Sequence, residues 1–251
     1  MLVDGIVLAG GSQGKGEKLG GPIEALLPIV DRPMVTWVLR ALKGSGCLGR
    51  LVLVGPEELR ELAEAEELPL VPSGATTVES ALNGARALSD AEWLLLATAD
   101  IPLLTPEAVR DFLKRCEKVE ADLYYPIVTR ESSEAAYPGV KRTYVRLKEG
   151  TFTGGNMALI RAEVLPLCAA KGQKLVALRK SPLGLGRLIG MVFIMKFLLH
   201  QLSLAEAEKR FSELLGVRGA AIITPYAEIG VDVDKPSDLE LARKVLTREP
   251  C

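Results

Sequence analysis

Gly5-Ile6-Val7-Leu8-Ala9-Gly10-Gly11-Ser12-Gln13-Gly14-Lys15-Gly16 is the stretch whose reading decides the fold. A short apolar run, the shape of a buried first strand, breaks directly into a loop dense in glycine, serine and lysine. Glycine carries no Cβ and tolerates positive φ, so such a loop brings bare backbone N–H groups close to an anion. Lys15 and Lys18 add the charge that a phosphate chain needs. Leu8, Ala9, Gly10, Gly11, Ser12 and Gly14 therefore read as a phosphate cradle, with a ligand-free glycine turn as the competing reading.

Two familiar cradles do not fit. A Walker A loop needs glycine, four residues, then Gly-Lys-Ser/Thr; here Ala9 stands at the first glycine and Gly16 follows Lys15. A dinucleotide fingerprint needs G-x-G-x-x-G, but Gly14-Lys15-Gly16-Glu17-Lys18 runs into Leu19, with Gly20 one residue late.

The chain has 251 residues, with 31 Lys and Arg against 32 Asp and Glu, so no global basic field exists to hold nucleic acid. Cys47, Cys116, Cys168 and Cys251 lie far apart, a spacing that suits a reducing, cytoplasmic setting rather than a zinc or disulfide frame. His200 is the sole histidine, which excludes a multi-histidine metal site. The opening residues lack a basic leader. The most apolar run, 188–199, is too short to span a bilayer, which takes about 20 residues. It reads as a buried helix, a face for a homodimer or the border of an apolar acceptor, with membrane contact a minor alternative.

Strand-like runs at 3–8, 51–54, 68–71, 93–97 and 123–128 alternate with helical patterns at 33–43, 57–64, 78–88 and 106–117. Met34, Trp37, Val38, Ala41 and Leu42 form one apolar helix stripe. Thr105-Pro106 marks a helix start with threonine as N-cap. Such alternation predicts an α/β fold with a mainly parallel sheet between helices, and its ligand lies outside the carboxyl ends of the strands. Further strands are expected at 144–147, 156–160, 220–224 and 229–233, helical structure over 161–215, and a last helix over 236–246. The expected organisation is one domain over 1–251 with a helical insertion at 181–216.

Asp100 follows the apolar strand 93–97, on the predicted functional rim. A carboxylate there is costly unless paired, hydrogen-bonded or bound to a cation, and hard oxygen ligands suit Mg²⁺. Asp232 and Asp234 lie two apart, which places them on one side of an extended segment facing one cation. Alternatively Asp234 caps the last helix, and Asp238 answers its macrodipole. These acids beside a phosphate cradle point to phosphoryl or nucleotidyl transfer. Thr153, Gly154, Gly155 and Asn156 offer bare backbone and an amide to an acceptor, or a tight hairpin turn. Lys141, Arg142, Arg146, Arg179 and Lys180 are charges for acceptor anions, or a solvated surface.

Leu8-Ala9-Gly10-Gly11, Ala25-Leu26-Leu27-Pro28-Ile29, Arg32-Pro33-Met34, Asp100-Ile101-Pro102-Leu103, Gly154-Gly155-Asn156 and Asp232-Val233-Asp234-Lys235-Pro236 together resemble the MobA-like nucleotidyltransferases, and more distantly the sugar-phosphate nucleotidylyltransferases. The resemblance implies a three-layer α/β/α, Rossmann-like and glycosyltransferase-A-like fold around a mixed, mostly parallel sheet. It implies a glycine loop that wraps the triphosphate, Mg²⁺ on a residue matching Asp100, and a site completed by Asp232 or Asp234. It also implies that the segment containing Ser73, Gly74, Ser80 and Asn83 reads the nucleobase. The partners implied are an NTP and a small-molecule acceptor. One departure concerns the residue before Ala25: the family usually has lysine there, and this chain has Glu24. Unit charges ~4 Å apart at an effective dielectric near 20 interact by about 4 kcal/mol, so the exchange is large. Lys15 or Lys18 compensates, or Glu24 helps bind a cation, or the chain is a non-catalytic nucleotide-binding module. A glycosyltransferase using Asp232-Val233-Asp234 is a third reading.

Overall fold

A computed structural model describes residues 1–10, 19, 21–178 and 189–247, with the side chains of 173–178 left aside. Along the chain run β1 (Val3–Leu8), the short hairpin β2 (Pro28–Ile29) and β3 (Arg32–Pro33), α1 (Met34–Gly44), β4 (Leu48–Gly55), α2 (Arg60–Ala65), β5 (Leu70–Pro72), α3 (Thr77–Ala87), β6 (Trp93–Thr98) and α4 (Pro106–Cys116). The second half contains β7 (Leu123–Thr129), α5 (Arg130–Ala136), β8 (Val145–Leu147), β9 (Gly150–Gly154), β10 (Met157–Arg161), α6 (Leu165–Leu178), α7 (Met191–Leu198), α8 (Leu204–Leu215), β11 (Gly219–Thr224) and α9 (Pro236–Leu246).

Among the described residues one nine-stranded sheet has the order β5-β4-β1-β6-β10-β7-β9-β8, with β11 paired to β7. From β5 to β6 every pairing is parallel. Beyond β6, β10 runs antiparallel to both β6 and β7, and β9 runs antiparallel to β7 and β8. β11 runs parallel to β7, so the sheet is mixed, as expected, with parallel pairing on both sides of β10.

Strand residues alternate between two cores, as a period of two demands. On one face Val7, Leu53, Leu95 and Leu159 meet Val38, Leu39 and Leu42 of α1 and Val109 and Phe112 of α4. On the other, Ile6, Val52, Val54, Leu94 and Ile160 meet Leu82 of α3 and Leu165 and Cys168 of α6. Each fully buried large side chain contributes about 1.5–3 kcal/mol over its exposed state, so these two layers hold the strand ends in place. Asp4, buried within β1, is matched by Arg50, whose backbone N and Nη2 donate to it at 2.7 and 2.6 Å.

Two differences from expectation matter for the site. Residues 229–233 are not a strand: a 3-10 turn at Ala227–Gly230 leads into irregular backbone. Their backbone bonds go elsewhere, with Asn156 N donating to Ile229 O and Val233 N donating to Asp100 O, each at 2.9 Å. Residues 153–156 are not a hairpin turn. β9 and β10 lie end to end along the same edge of β7, and the register shifts by two residues between them. Gly155 and Asn156 form the resulting bulge, a device that re-aims side chains at a sheet rim. Only glycine fits at 155, since a Cβ there would stand 2.6 Å from Ile229 Cγ2 and 2.9 Å from Pro126 Cγ. Helix α5 was also absent from the sequence pattern; the side chain of Thr129 caps it by accepting from Ser132 N. Among the described residues no helix is long and apolar enough to cross a membrane.

Candidate active site

The carboxyl ends of β1 and β6 meet at one rim. Ala9 N donates to Val54 O at 2.7 Å and Ala99 N to Leu8 O at 3.1 Å, so ladder bonding runs past both strands before releasing Gly10 and Asp100. Gly10 is pressed against the following crossover: a Cβ there would lie 3.1 Å from Ser73 Cβ and 3.7 Å from Ser80 Oγ. Ser80 is buried and accepts from Gly74 N at 3.0 Å, while Glu79 accepts from Ala75 N at 2.9 Å. Gly74 packs so closely on Glu79 that no side chain fits there. Thr76 caps α3 by accepting from Glu79 N at 3.1 Å. The loop 73–76 is thereby wound over the N-terminus of α3, whose dipole favours an anion. Asn83 is engaged within the fold: Nδ2 donates to Pro72 O and Oδ1 accepts from Arg86.

These elements enclose a cleft of about 500 Å³ bordered by Gly10, Glu24, Met34, Ala75, Thr76 and Asp100. Beside Glu24 and Asp100 of its lining stands Asp234, and carboxylate oxygens of the three lie within 4.8 Å of one another. Glu24 is buried, Asp100 half-buried and Asp234 exposed. Glu24 arrives on a 3-10 turn, Glu24–Leu26. Thr98 Oγ1 donates to Asp100 Oδ1 at 2.6 Å, which orients that carboxylate, and sequence reasoning had not singled it out. Asp234 reaches the group because Asp238, not Asp234, accepts from the backbone N–H groups that open α9.

Asp232 takes a different partner. Its carboxylate pairs with Arg142, which also donates to Gly154 O at 3.4 Å. Burial foremost raises the Asp232 pKa above the usual carboxylate range; Arg142 opposes this, and Asp234 and Asp100 reinforce it. The acids expected to share one cation are thus divided, Asp234 joining Asp100 and Asp232 standing beside them on Arg142. Thr153 and Gly154 border Arg142 and Gly230, and Asn156 O accepts from Thr98 N at 3.1 Å. Asn156 Nδ2 is a buried donor with no hydrogen-bond partner among the described residues. Gly11, Ser12, Gly14, Lys15, Lys18, Arg179 and Lys180 lie outside the described residues.

A second cavity, of about 640 Å³, lies between β7, β9, β11 and the helices α7 and α8. Its walls include Ile127, Leu147, Phe152, Phe193, Phe211 and Leu214.

Residues 5–180 match the MobA-like NTP transferase domain. A solved structure described as a hypothetical transferase from Thermus thermophilus is 45% identical, with a TM-score of 0.83 over 95% of this chain and 100% of that one. A CMP:2-keto-3-deoxy-manno-octonic acid synthetase, solved in complex with CTP, is 15% identical with a TM-score of 0.63 over the full length of both chains. A 4-diphosphocytidyl-2C-methyl-D-erythritol synthase from Anaerococcus prevotii is 12% identical with a TM-score of 0.62, covering 98% of this chain and 99% of its own. At those identities the last two share the fold. No curated protein gives a significant match. The chain belongs to the MobA-like NTP transferase family.

Proposed function

We propose that the protein is a magnesium-dependent nucleotidyltransferase, which moves NMP from an NTP to a small phosphate or hydroxyl acceptor and releases pyrophosphate. The observation that carries this reading is the meeting of Glu24, Asp100 and Asp234 at the Gly10 cleft. Three carboxylates this close repel one another, and an all-oxygen donor set is what Mg²⁺ takes. Glu24, Asp100 and Asp234 would hold the ion, which supplies charge neutralisation at the phosphate under attack when bound.

The chain's own groups supply the rest. Backbone at Gly10, which the bonded Ala9 positions, receives the phosphates of the NTP with the N-terminus of α3. Lys15 and Lys18, with Gly11, Ser12 and Gly14, complete that cradle. Ser73, Gly74 and Ser80 set the wall that faces the base, and Asn83 holds this wall by tying β5 to α3. The acceptor enters from the bulge at residues 153–156, where Asn156 Nδ2 offers a donor and Arg142 a cation balanced by Asp232. As the acceptor oxygen bonds to the α-phosphorus, the bridging bond to the β-phosphate breaks and pyrophosphate leaves. In this reading Glu24 is a cation ligand, so its departure from the family's lysine is a change of ligand set rather than a loss of activity.

Pyrophosphate release from each of the four NTPs, with a panel of phosphorylated and hydroxylated acceptors, tests the proposal. Turnover that requires Mg²⁺ and disappears in Asp100→Asn is the expected result. NTP binding without release under any condition would favour a non-catalytic nucleotide-binding module instead.

A further inference from the structure

The β8–β9 hairpin has two unlike faces. Residues two apart on a strand share a face, so Val145 and Leu147 turn one way and Arg146 the other. Val145, Leu147 and Phe152 border the apolar cavity. Arg146 stands directly opposite Thr151 in the ladder, and the two border a third cavity, of about 570 Å³, on the polar side. Its walls also include Arg130, Tyr144, Lys148 and His200. Local bonding gathers these residues. Helix α7 ends in the left-handed turn of His200, φ 56°, and Lys148 N donates to Leu202 O at 2.9 Å, which seats the turn after α7 on the hairpin. Across from it, the Arg130 guanidinium lies 5.5 Å from the centre of the Tyr144 ring. Among the described residues, this cavity and the Gly10 cleft have no lining residue in common.

Two observations point to an anionic ligand. The first is uncompensated charge. Arg130 is answered by Glu134, which accepts from its Nε at 2.6 Å. Arg146 and Lys148 make no ion pair among the described residues. Glu149, between them and β9, accepts instead from Leu204 N at 2.9 Å. Glu131 is the one acid among the described lining residues. The second observation is a stranded hydroxyl. Tyr144 Oη is buried and has no hydrogen-bond partner among the described residues. A buried hydroxyl left in this state costs stability, and native structures seldom keep one without cause. A planar guanidinium, an ammonium and a hydroxyl on one cavity wall are donors suited to the oxygens of a phosphate. The cavity volume is that of a small-molecule site, and a net charge of −1 gives the chain no extended field for a nucleic acid.

We propose that this cavity binds a small phosphomonoester, whose phosphate is held by Arg146, Lys148 and the Tyr144 hydroxyl and whose own hydroxyl groups meet Glu131 and Thr151. The site is independent of the nucleotidyl-transfer reading.

Isothermal titration of the full chain with ribose 5-phosphate, glucose 6-phosphate and glycerol 3-phosphate, and with ribose as the uncharged control, tests it. At least one phosphomonoester should bind at least ~10-fold more tightly than ribose. The double change Arg146→Ala, Lys148→Ala should weaken that binding by about 10-fold or more. Both side chains are exposed, so its melting curve should match the parent. Tyr144→Phe should weaken binding by about 5-fold without lowering the melting temperature, because the hydroxyl it removes has no partner in the fold. A hydroxyl with a purely structural role would give the reverse, a lower melting temperature and unchanged affinity. Asp100→Asn and Asn156→Ala should bind the phosphomonoester like the parent. Binding to none of the three, binding no tighter than ribose, or a double variant that binds like the parent overturns the proposal. Loss of binding in Asp100→Asn or Asn156→Ala would assign the ligand to the Gly10 cleft or its acceptor entrance and also overturn it.

Discussion

On the β5-β4-β1-β6 side of the sheet, α1 and α4 cover one face and α3 the other, and the strand ends deliver polar groups into a defined cleft. Over β7, β8, β9 and β11 the covering helices α7 and α8 leave an apolar cavity of about 640 Å³ and an apolar face turned outward. The first region falls inside the residues that match the family, whereas α7 and α8 follow residue 180, where that match ends. The tight packing belongs to the part that builds the rim. Under α7 and α8, by contrast, apolar side chains line a cavity instead of filling the space between helix and sheet.

Core truncation gives the largest expected contrast. Phe112 of α4 is fully buried, so Phe112→Ala should cost about 3–5 kcal/mol by urea denaturation. Phe211 of α8 borders the apolar cavity and is 44% exposed, so Phe211→Ala should cost at most about 1 kcal/mol. Equal costs would mean that the two regions are equally packed. A middle-sized effect is expected at the joint between them. Gly155→Ala drives a methyl group into Ile229 and Pro126 and should cost about 1–3 kcal/mol. Acceptor dependence should suffer more than NTP binding, which steady-state kinetics with each substrate varied will show. Smallest is the loss of a cap. Thr76→Ala and Ser203→Ala each remove an N-cap, from α3 and α8, and each should cost about 1 kcal/mol. Only Thr76→Ala should also weaken NTP binding, as read by NTP-dependent thermal stabilisation.

How much was legible follows from the range of the interactions involved. Residues 6–8 and 93–97 were readable because both faces of each strand are largely buried, which favours an apolar run. Thr105 was readable as a cap because its bond reaches only three residues on, to Ala108 N. The strand expected at 229–233 failed because its apolar residues pack while its backbone bonds to Asn156 and Asp100, partners remote in sequence. The division of Asp232 from Asp234 was hidden for the same reason, since Arg142 is 90 residues away. Glu24 was visible as a departure, but its approach to Asp100 and Asp234 depends on a 3-10 turn that periodicity does not mark. The bulge at Gly155 and Asn156 arises from two strands sharing one edge of β7, a property of the sheet rather than of the local sequence.

The central claim is that Glu24, Asp100 and Asp234 jointly hold the divalent cation that accompanies the triphosphate. Electron paramagnetic resonance with Mn²⁺, titrated into the full chain with and without NTP, measures this directly. The account predicts one Mn²⁺ site, tightened by NTP and weakened roughly 10-fold or more in each of Glu24→Gln, Asp100→Asn and Asp234→Asn, while an Asp90→Asn control at the remote Arg50 pair binds like the parent. Mn²⁺ affinity unchanged in all three carboxylate variants would contradict it.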